Sequence, residues 1–133
     1  MKQRILTVDD EVEVTELLAF NLTAAGFDVD QAHDGLEAIA TARRTRPDLI
    51  LLDVMLPEMD GFSVCEILRR TPETANTPIV LLTGWASEAA RRIGMESGAS
   101  DYVVKPFSTR ELVGRLRMML PGPEAPGNRK TEM

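Results

Sequence analysis

Leu49-Ile50-Leu51-Leu52-Asp53-Val54-Met55-Leu56-Pro57 is an apolar run interrupted by a single carboxylate and closed by a proline. A continuous apolar run of this length fits a strand covered on both faces, as in a parallel sheet. Pro57 stops further ladder pairing because it has no N–H to donate. An aspartate at the C-terminal end of such a strand faces the crevice where open α/β sheets place their chemistry. Burying that carboxylate is costly unless a cation or donors answer it. Its partners must come from the ends of other strands.

Upstream, Ile5-Leu6-Thr7-Val8 is a short β-favouring run that ends in Asp9-Asp10-Glu11. Val14, Leu17, Leu18, Leu22 and Ala25 follow at helical spacing, with Asn21 on the same stripe as a core-edge amide and Gly26 as the stop. Phe27 to Ala32 alternates and reads as a second strand nearer the sheet edge. Asp34-Gly35 turns into a helix with Ala38, Ile39 and Ala42 inward, which ends before Pro47.

Downstream, Pro57 to Gly61 is a loop, followed by a helix with Val64, Cys65 and Leu68 inward. Ile79 to Thr83 is a fourth strand, and Gly84-Trp85 is the turn out of it. A helix from about Ser87 to Ser97 closes at Gly98, and Asp101 to Val104 is a fifth strand ending at Lys105-Pro106. Ser108 and Glu111 form a capping box for a last helix with Leu112, Leu116, Met119 and Leu120 inward. Cys65 and the pair Met118-Met119 read as packing. Strands and helices alternate five times, which predicts an α/β fold: a doubly wound five-stranded parallel sheet with helices on both faces. One domain spans 1–120, and the Pro/Gly-rich stretch 121–133 has too little to bury and reads as a disordered tail or the start of a linker.

Composition narrows the function classes. The 133 residues suffice for one domain with its own core, and 44% apolar with 27% charged residues is ordinary for a globular protein. No apolar run approaches the ~20 residues of a membrane span, and no signal peptide precedes the first strand. Cys65 is the only cysteine, which excludes an internal disulfide and fits a reducing, cytoplasmic setting. A net charge of −6 argues against direct nucleic-acid binding by this domain.

The strand ends together carry Asp9 and Asp10, Asp53, Thr83 and Lys105. Three carboxylates on one sheet edge repel unless a cation sits among them. Hard oxygen ligands without His or Cys point to Mg²⁺, or Mn²⁺. A metal, an ammonium and a hydroxyl around one carboxylate form a site for a phosphoryl group, with Asp53 as nucleophile.

Asp9-Asp10, Asp53, Thr83 and Lys105-Pro106, spread over residues 4 to about 120, resemble the receiver domain of two-component response regulators. The resemblance implies strand order 2-1-3-4-5 and Asp53 as phosphoacceptor. Asp10, Asp53 and the backbone carbonyl of Met55 would hold the metal, with Asp9 assisting through water. Lys105 would pair with the acceptor or its phosphate, and the bond to Pro106 would be cis. Thr83 would be the switch hydroxyl and Tyr102 the aromatic that follows it. A histidine kinase or phosphotransfer protein would be the donor. An output protein or domain would read the surface of the fourth helix, fifth strand and fifth helix, with a homodimer possible on activation. Gly84 stands where the family usually has a small residue such as Ala, which leaves access to the phosphate open.

Rival readings have weaker support. An aspartyl-phosphate hydrolase of the haloacid-dehalogenase type needs a second acid two residues after its nucleophile, and that position is Met55. A nucleotide site lacks a Gly-rich loop after the first strand. A pseudo-receiver that is never phosphorylated conflicts with the full acidic set. Singly, Asp9 or Asp10 reads as a cap of the first helix, His33 as an exposed strand-end residue, and Arg91-Arg92, Arg110, Arg115 and Arg117 as solvated faces or partner-surface charges. Trp85, the only tryptophan, stands beside the switch loop, where its emission would report metal or phosphoryl binding.

Overall fold

A computed structural model of the chain describes residues 2–120, and the stretch read as a tail, 121–133, lies outside them. The elements run β1 (Arg4–Val8), α1 (Val12–Ala24), β2 (Asp28–Ala32), α2 (Gly35–Thr45), β3 (Leu49–Leu52), α3 (Gly61–Arg70), β4 (Ile79–Thr83), α4 (Glu88–Glu96), β5 (Asp101–Val104) and α5 (Thr109–Met119). All four strand pairings are parallel, in the order β2-β1-β3-β4-β5. The α/β doubly wound sheet and its order are those anticipated from the sequence.

The apolar run at β3 is covered on both sides, and its side chains divide with the two-residue strand period. Ile50 and Leu52 join Leu6, Leu81, Val64 and Leu68 in the core under α2, α3 and α4. Leu49 and Leu51 join Ile5, Leu22, Val80, Leu112 and Leu116 under α1 and α5. At ~25 cal/mol per Å² of apolar surface removed from water, these two layers are the main stabilising term.

The helices begin where local chemistry offers a cap. Asp34, Asp60, Ser87 and Ser108 each accept a hydrogen bond from the backbone N–H three residues on. α1 and α4 stop against Gly26 and Gly98, whose φ angles are 102° and 110°. α2 ends at Arg46 with φ 48°, because the following Pro47 disfavours a further helical residue.

Two faces differ from the sequence reading. Leu17 is 64% exposed, because the buried stripe of α1 is Thr15, Leu18 and Leu22, and Leu17 sits about 100° around the helix from Leu18. Met118 is 87% exposed for the same reason, while Leu112 and Leu116 set the inner face of α5 and Met119 lies at its border. Neither acid after β1 caps α1. Its N-cap is Glu11, with no side-chain bond, and Asp9 Oδ1 instead accepts from the Glu11 N–H at 3.0 Å.

Candidate functional site

The parallel register carries the strand-end residues together. Val8 pairs with Leu52, so Asp9 and Asp53 are the next residues off two adjacent strands. β1 and β3 are also where the strand order reverses, which opens a crevice at their C-terminal ends. The backbone fixes both acids: Asp53 N–H donates to Val8 O at 3.0 Å and Asp9 N–H to Ala32 O at 3.2 Å. Gly61 fixes the loop behind Asp53. Its N–H reaches Val54 O at 2.8 Å, and a Cβ there would collide with the Asp53 carbonyl and Val54 Cα.

Asp9, Asp10 and Asp53 each offer a carboxylate oxygen, and all three oxygens lie within 4.8 Å of one another. Asp9 and Asp53 are buried, while Asp10 is exposed at the mouth. From the far side of the crevice Lys105 Nζ reaches Asp9 Oδ2 at 2.9 Å and Asp53 Oδ2 at 3.5 Å. The Lys105 N–H also donates to Thr83 O at 2.8 Å, which sets where its side chain departs, and its peptide bond to Pro106 is cis.

The electrostatics are those of an overcrowded anionic cluster. Burial pushes the Asp53 carboxyl up to about 6, and the Asp9 charge adds to it, with Lys105 and the Met55 N–H only partly opposing. Burial disfavours the charged form of Lys105, but the hydrogen bond it donates to Asp9 and the charges of Asp53 and Asp9 outweigh it and raise its pKa. One ammonium thus leaves the cluster short of positive charge. A hard divalent cation such as Mg²⁺ or Mn²⁺ fits the all-oxygen donor set.

Thr83, at the end of β4, is fully buried, and its Oγ1 accepts the Trp85 N–H at 3.2 Å. Tyr102 is 2% exposed on β5, and its hydroxyl donates to Trp85 O at 2.6 Å. Met55, 63% exposed, stands over the site, and its N–H donates to Asp53 Oδ1 at 3.2 Å. Asp9, Asp10, Asp53, Met55 and Lys105 therefore meet at one crevice, and Thr83 and Tyr102 are tied to Trp85 in the loop beside it. His33 stands apart, bonded through Nε2 to Thr15 Oγ1 at 3.1 Å.

The sequence reading set Met55 and Trp85 beside the site but missed Phe62 and Ile93, which complete an apolar wall with them. A cleft of about 570 Å³ opens from Asp10 and is lined by Met55, Phe62, Trp85 and Ile93 among others. Phe62 faces Trp85 with ring centroids 6.0 Å apart. The only hint was an aromatic directly after Asp60-Gly61, and nothing in the periodicity of α3 said which way it would point.

The chain is similar to known proteins in sequence and in fold. The family model for the response regulator receiver domain matches residues 5–117. The DNA-binding dual master transcriptional regulator RpaA of Synechocystis is 45% identical over 117 residues, which is 88% of this chain and 48% of that protein. The DNA-binding response regulator MtrA of Mycolicibacterium smegmatis is 47% identical over 120 residues, 90% of this chain and 51% of that protein. The chain thus spans about half the length of these curated relatives. Among solved structures, the chemotaxis protein CheY4 of Vibrio cholerae superposes with a TM-score of 0.86 at 34% identity, covering 90% of this chain and 100% of that one. The receiver domain of the sensor histidine kinase PA1611 of Pseudomonas aeruginosa, with a magnesium ion coordinated in its active-site cleft, gives 0.83 at 33%, covering 90% and 98%.

Proposed function

The chain belongs to the response regulator receiver-domain family of two-component signalling, and we propose that it is a switch thrown by Mg²⁺-dependent phosphorylation of Asp53. The observation that carries this reading is the Lys105 ammonium shared between Asp9 and Asp53, with an Asp10 carboxylate oxygen within 4.8 Å of an oxygen on each of those acids. A divalent ion held by Asp10, Asp53 and the Met55 carbonyl, with Asp9 assisting, would supply the charge neutralisation that transfer to a carboxylate requires.

The chain's own residues do the rest. Asp53 presents one carboxylate oxygen to the phosphorus of a phosphohistidine on a histidine kinase or phosphotransfer protein. The P–N bond breaks, a P–O bond to Asp53 forms, and the leaving imidazole keeps a proton. Lys105 would neutralise one equatorial oxygen, and the Thr83 hydroxyl and the Met55 N–H would donate to others; the contacts of Lys105 and of the Met55 N–H with Asp53 support this. Small acyl phosphates can serve as donors by the same geometry, so slow self-phosphorylation and self-dephosphorylation accompany the switch.

The output follows from what Thr83 is tied to. Drawing its hydroxyl onto a phosphoryl oxygen takes it from the Trp85 N–H and moves the loop whose carbonyl holds Tyr102. The surface of α4, β5 and α5 then changes shape for an output protein or an attached output domain, or for a second copy of the chain. The named relatives are DNA-binding regulators, which makes transcriptional output the favoured class.

Intact mass after incubation with acetyl phosphate, with and without Mg²⁺, tests the reading on the wild type and Asp53→Asn. A single phosphoryl adduct that needs both Mg²⁺ and Asp53 supports it. An adduct that survives Asp53→Asn overturns it.

A further inference from the structure

Gly94 lies inside α4 with its backbone pressed against the ring of Tyr102. A Cβ at position 94 would stand 2.9 Å from Tyr102 Cδ1, 3.2 Å from Tyr102 Cε1 and 2.8 Å from Leu81 Cδ1. Both neighbours lie in the interior, Leu81 fully buried and Tyr102 2% exposed, so relief of the overlap requires one of these side chains to move. Packed interiors do not absorb such overlaps without moving a side chain or the backbone. Glycine is a poor residue for a helix interior, and the space at Gly94 is closed, whereas a Cβ at Gly114 of α5 would meet nothing within 4 Å.

The ring it accommodates is held from two other directions. The Tyr102 hydroxyl donates to Trp85 O at 2.6 Å, and the Tyr102 carbonyl accepts from Arg91 Nη1 of α4 at 3.1 Å. The Trp85 N–H in turn meets Thr83 Oγ1. A contiguous path of contacts therefore runs from Thr83 through the β4–α4 loop and the Tyr102 ring to the α4 backbone at Gly94.

We propose that Gly94 is a positioning residue: by carrying no side chain it admits the Tyr102 ring beneath α4 and so sets how readily the switch occupies its ring-inward arrangement. This rests on the reading of Asp53 as phosphoacceptor and concerns the regulation of that same site. A methyl group at 94 would drive the ring outward, free Trp85 O, and leave the Thr83 loop without its anchor. Phosphorylation would then have to recover the inward arrangement against that overlap.

Tyr102 is the only tyrosine in the chain, so 3-fluorotyrosine incorporation gives one ¹⁹F resonance that reports the ring without any phosphorylation step. The wild type should show a buried resonance, and Gly94→Ala should move it to the position of a solvent-exposed ring. Beryllofluoride binding in Mg²⁺, followed by Trp85 emission, should weaken about threefold to tenfold in Gly94→Ala. In a Tyr102→Ala background, where Leu81 can turn into the vacated volume, Gly94→Ala should leave that affinity unchanged and raise the melting temperature through helix propensity. Should Gly94→Ala not fold, Gly94→Ala/Leu81→Ala keeps the ring contact and removes the other.

A buried ¹⁹F resonance in every folded variant that has alanine at 94 and retains Tyr102 would overturn the proposal. So would an equal loss of beryllofluoride affinity with and without Tyr102. Failure of the acceptor reading would look different: the wild type itself would take up no phosphoryl group, while the ¹⁹F shift would still decide the role of Gly94.

Discussion

Lys105 Nζ stands 2.9 Å from Asp9 Oδ2 but 3.5 Å from Asp53 Oδ2, so the lysine leans on the acid of β1 and reaches the acid of β3 only at the outer limit of a hydrogen bond. That asymmetry leaves the Asp53 oxygens less engaged than those of Asp9. A nucleophile needs such freedom, whereas an acid that only holds charge does not.

Removing the ammonium leaves three carboxylates facing one another. Lys105→Ala should destabilise the metal-free protein by about 2 kcal/mol, a figure discounted for the partial exposure of the lysine. The deficit should shrink when Mg²⁺ saturates the protein, because a second cation then answers the same charges. Urea midpoints with and without Mg²⁺ check this, and an equal deficit in both would show that Lys105 acts through packing alone.

The raised Asp53 pKa fixes the sign of a pH effect. Its ordinary value is 3.8 and in the fold it is about 6, so the folded chain binds this proton more tightly than the unfolded one. The stability it contributes is fully present below 3.8 and is lost as pH rises through about 6. Asp53→Asn carries no such charge, and at pH 7.5 without metal it should be more stable than wild type by roughly 2–3 kcal/mol. The difference should vanish near pH 4. Chemical denaturation at the two pH values tests it, and a less stable Asp53→Asn at pH 7.5 would contradict it.

Much of this site was legible in the sequence because parallel register extends to the residues just past each strand. Once Leu49–Leu52 reads as a central buried strand, Asp53 must meet whatever follows its neighbours, and the chain offers Asp9, Thr83 and Lys105 there. Contacts between elements were not legible. Helical spacing alone gave Leu17 and Leu18 equal claims to the core, and only docking on the sheet chose Leu18. The Phe62–Trp85 wall and the close approaches at Gly61 and Gly94 depend on how α3 and α4 lie on β3, β4 and β5, which no local pattern encodes.

Gly61 should tolerate no side chain. A Cβ there meets the carbonyl of Asp53 and Val54 Cα, backbone atoms that cannot rotate away. Gly61→Ala should cost about 2 kcal/mol or more and displace Asp53 enough to weaken Mg²⁺ binding severalfold. Thermal unfolding and Mg²⁺ titration check both parts. Wild-type stability with wild-type affinity would mean that the loop adapts.

Trp85 should report the metal. It is 44% exposed, lines the same cleft as Asp10, and its N–H and carbonyl are bonded to Thr83 and Tyr102. Its emission should change on Mg²⁺ titration, and Asp10→Asn should shift that titration to about tenfold higher Mg²⁺. An unchanged midpoint in Asp10→Asn would move the metal away from this cluster.

The most direct test of the account is to locate the phosphoryl group chemically. An acyl phosphate is reduced by borohydride to the alcohol, so a phosphorylated aspartate becomes homoserine and keeps its place in the chain. Peptide mass mapping after acetyl phosphate, Mg²⁺ and borohydride should find homoserine at position 53 and at no other aspartate. Homoserine at position 9 or 10 with Asp53 unmodified would contradict the account at its centre.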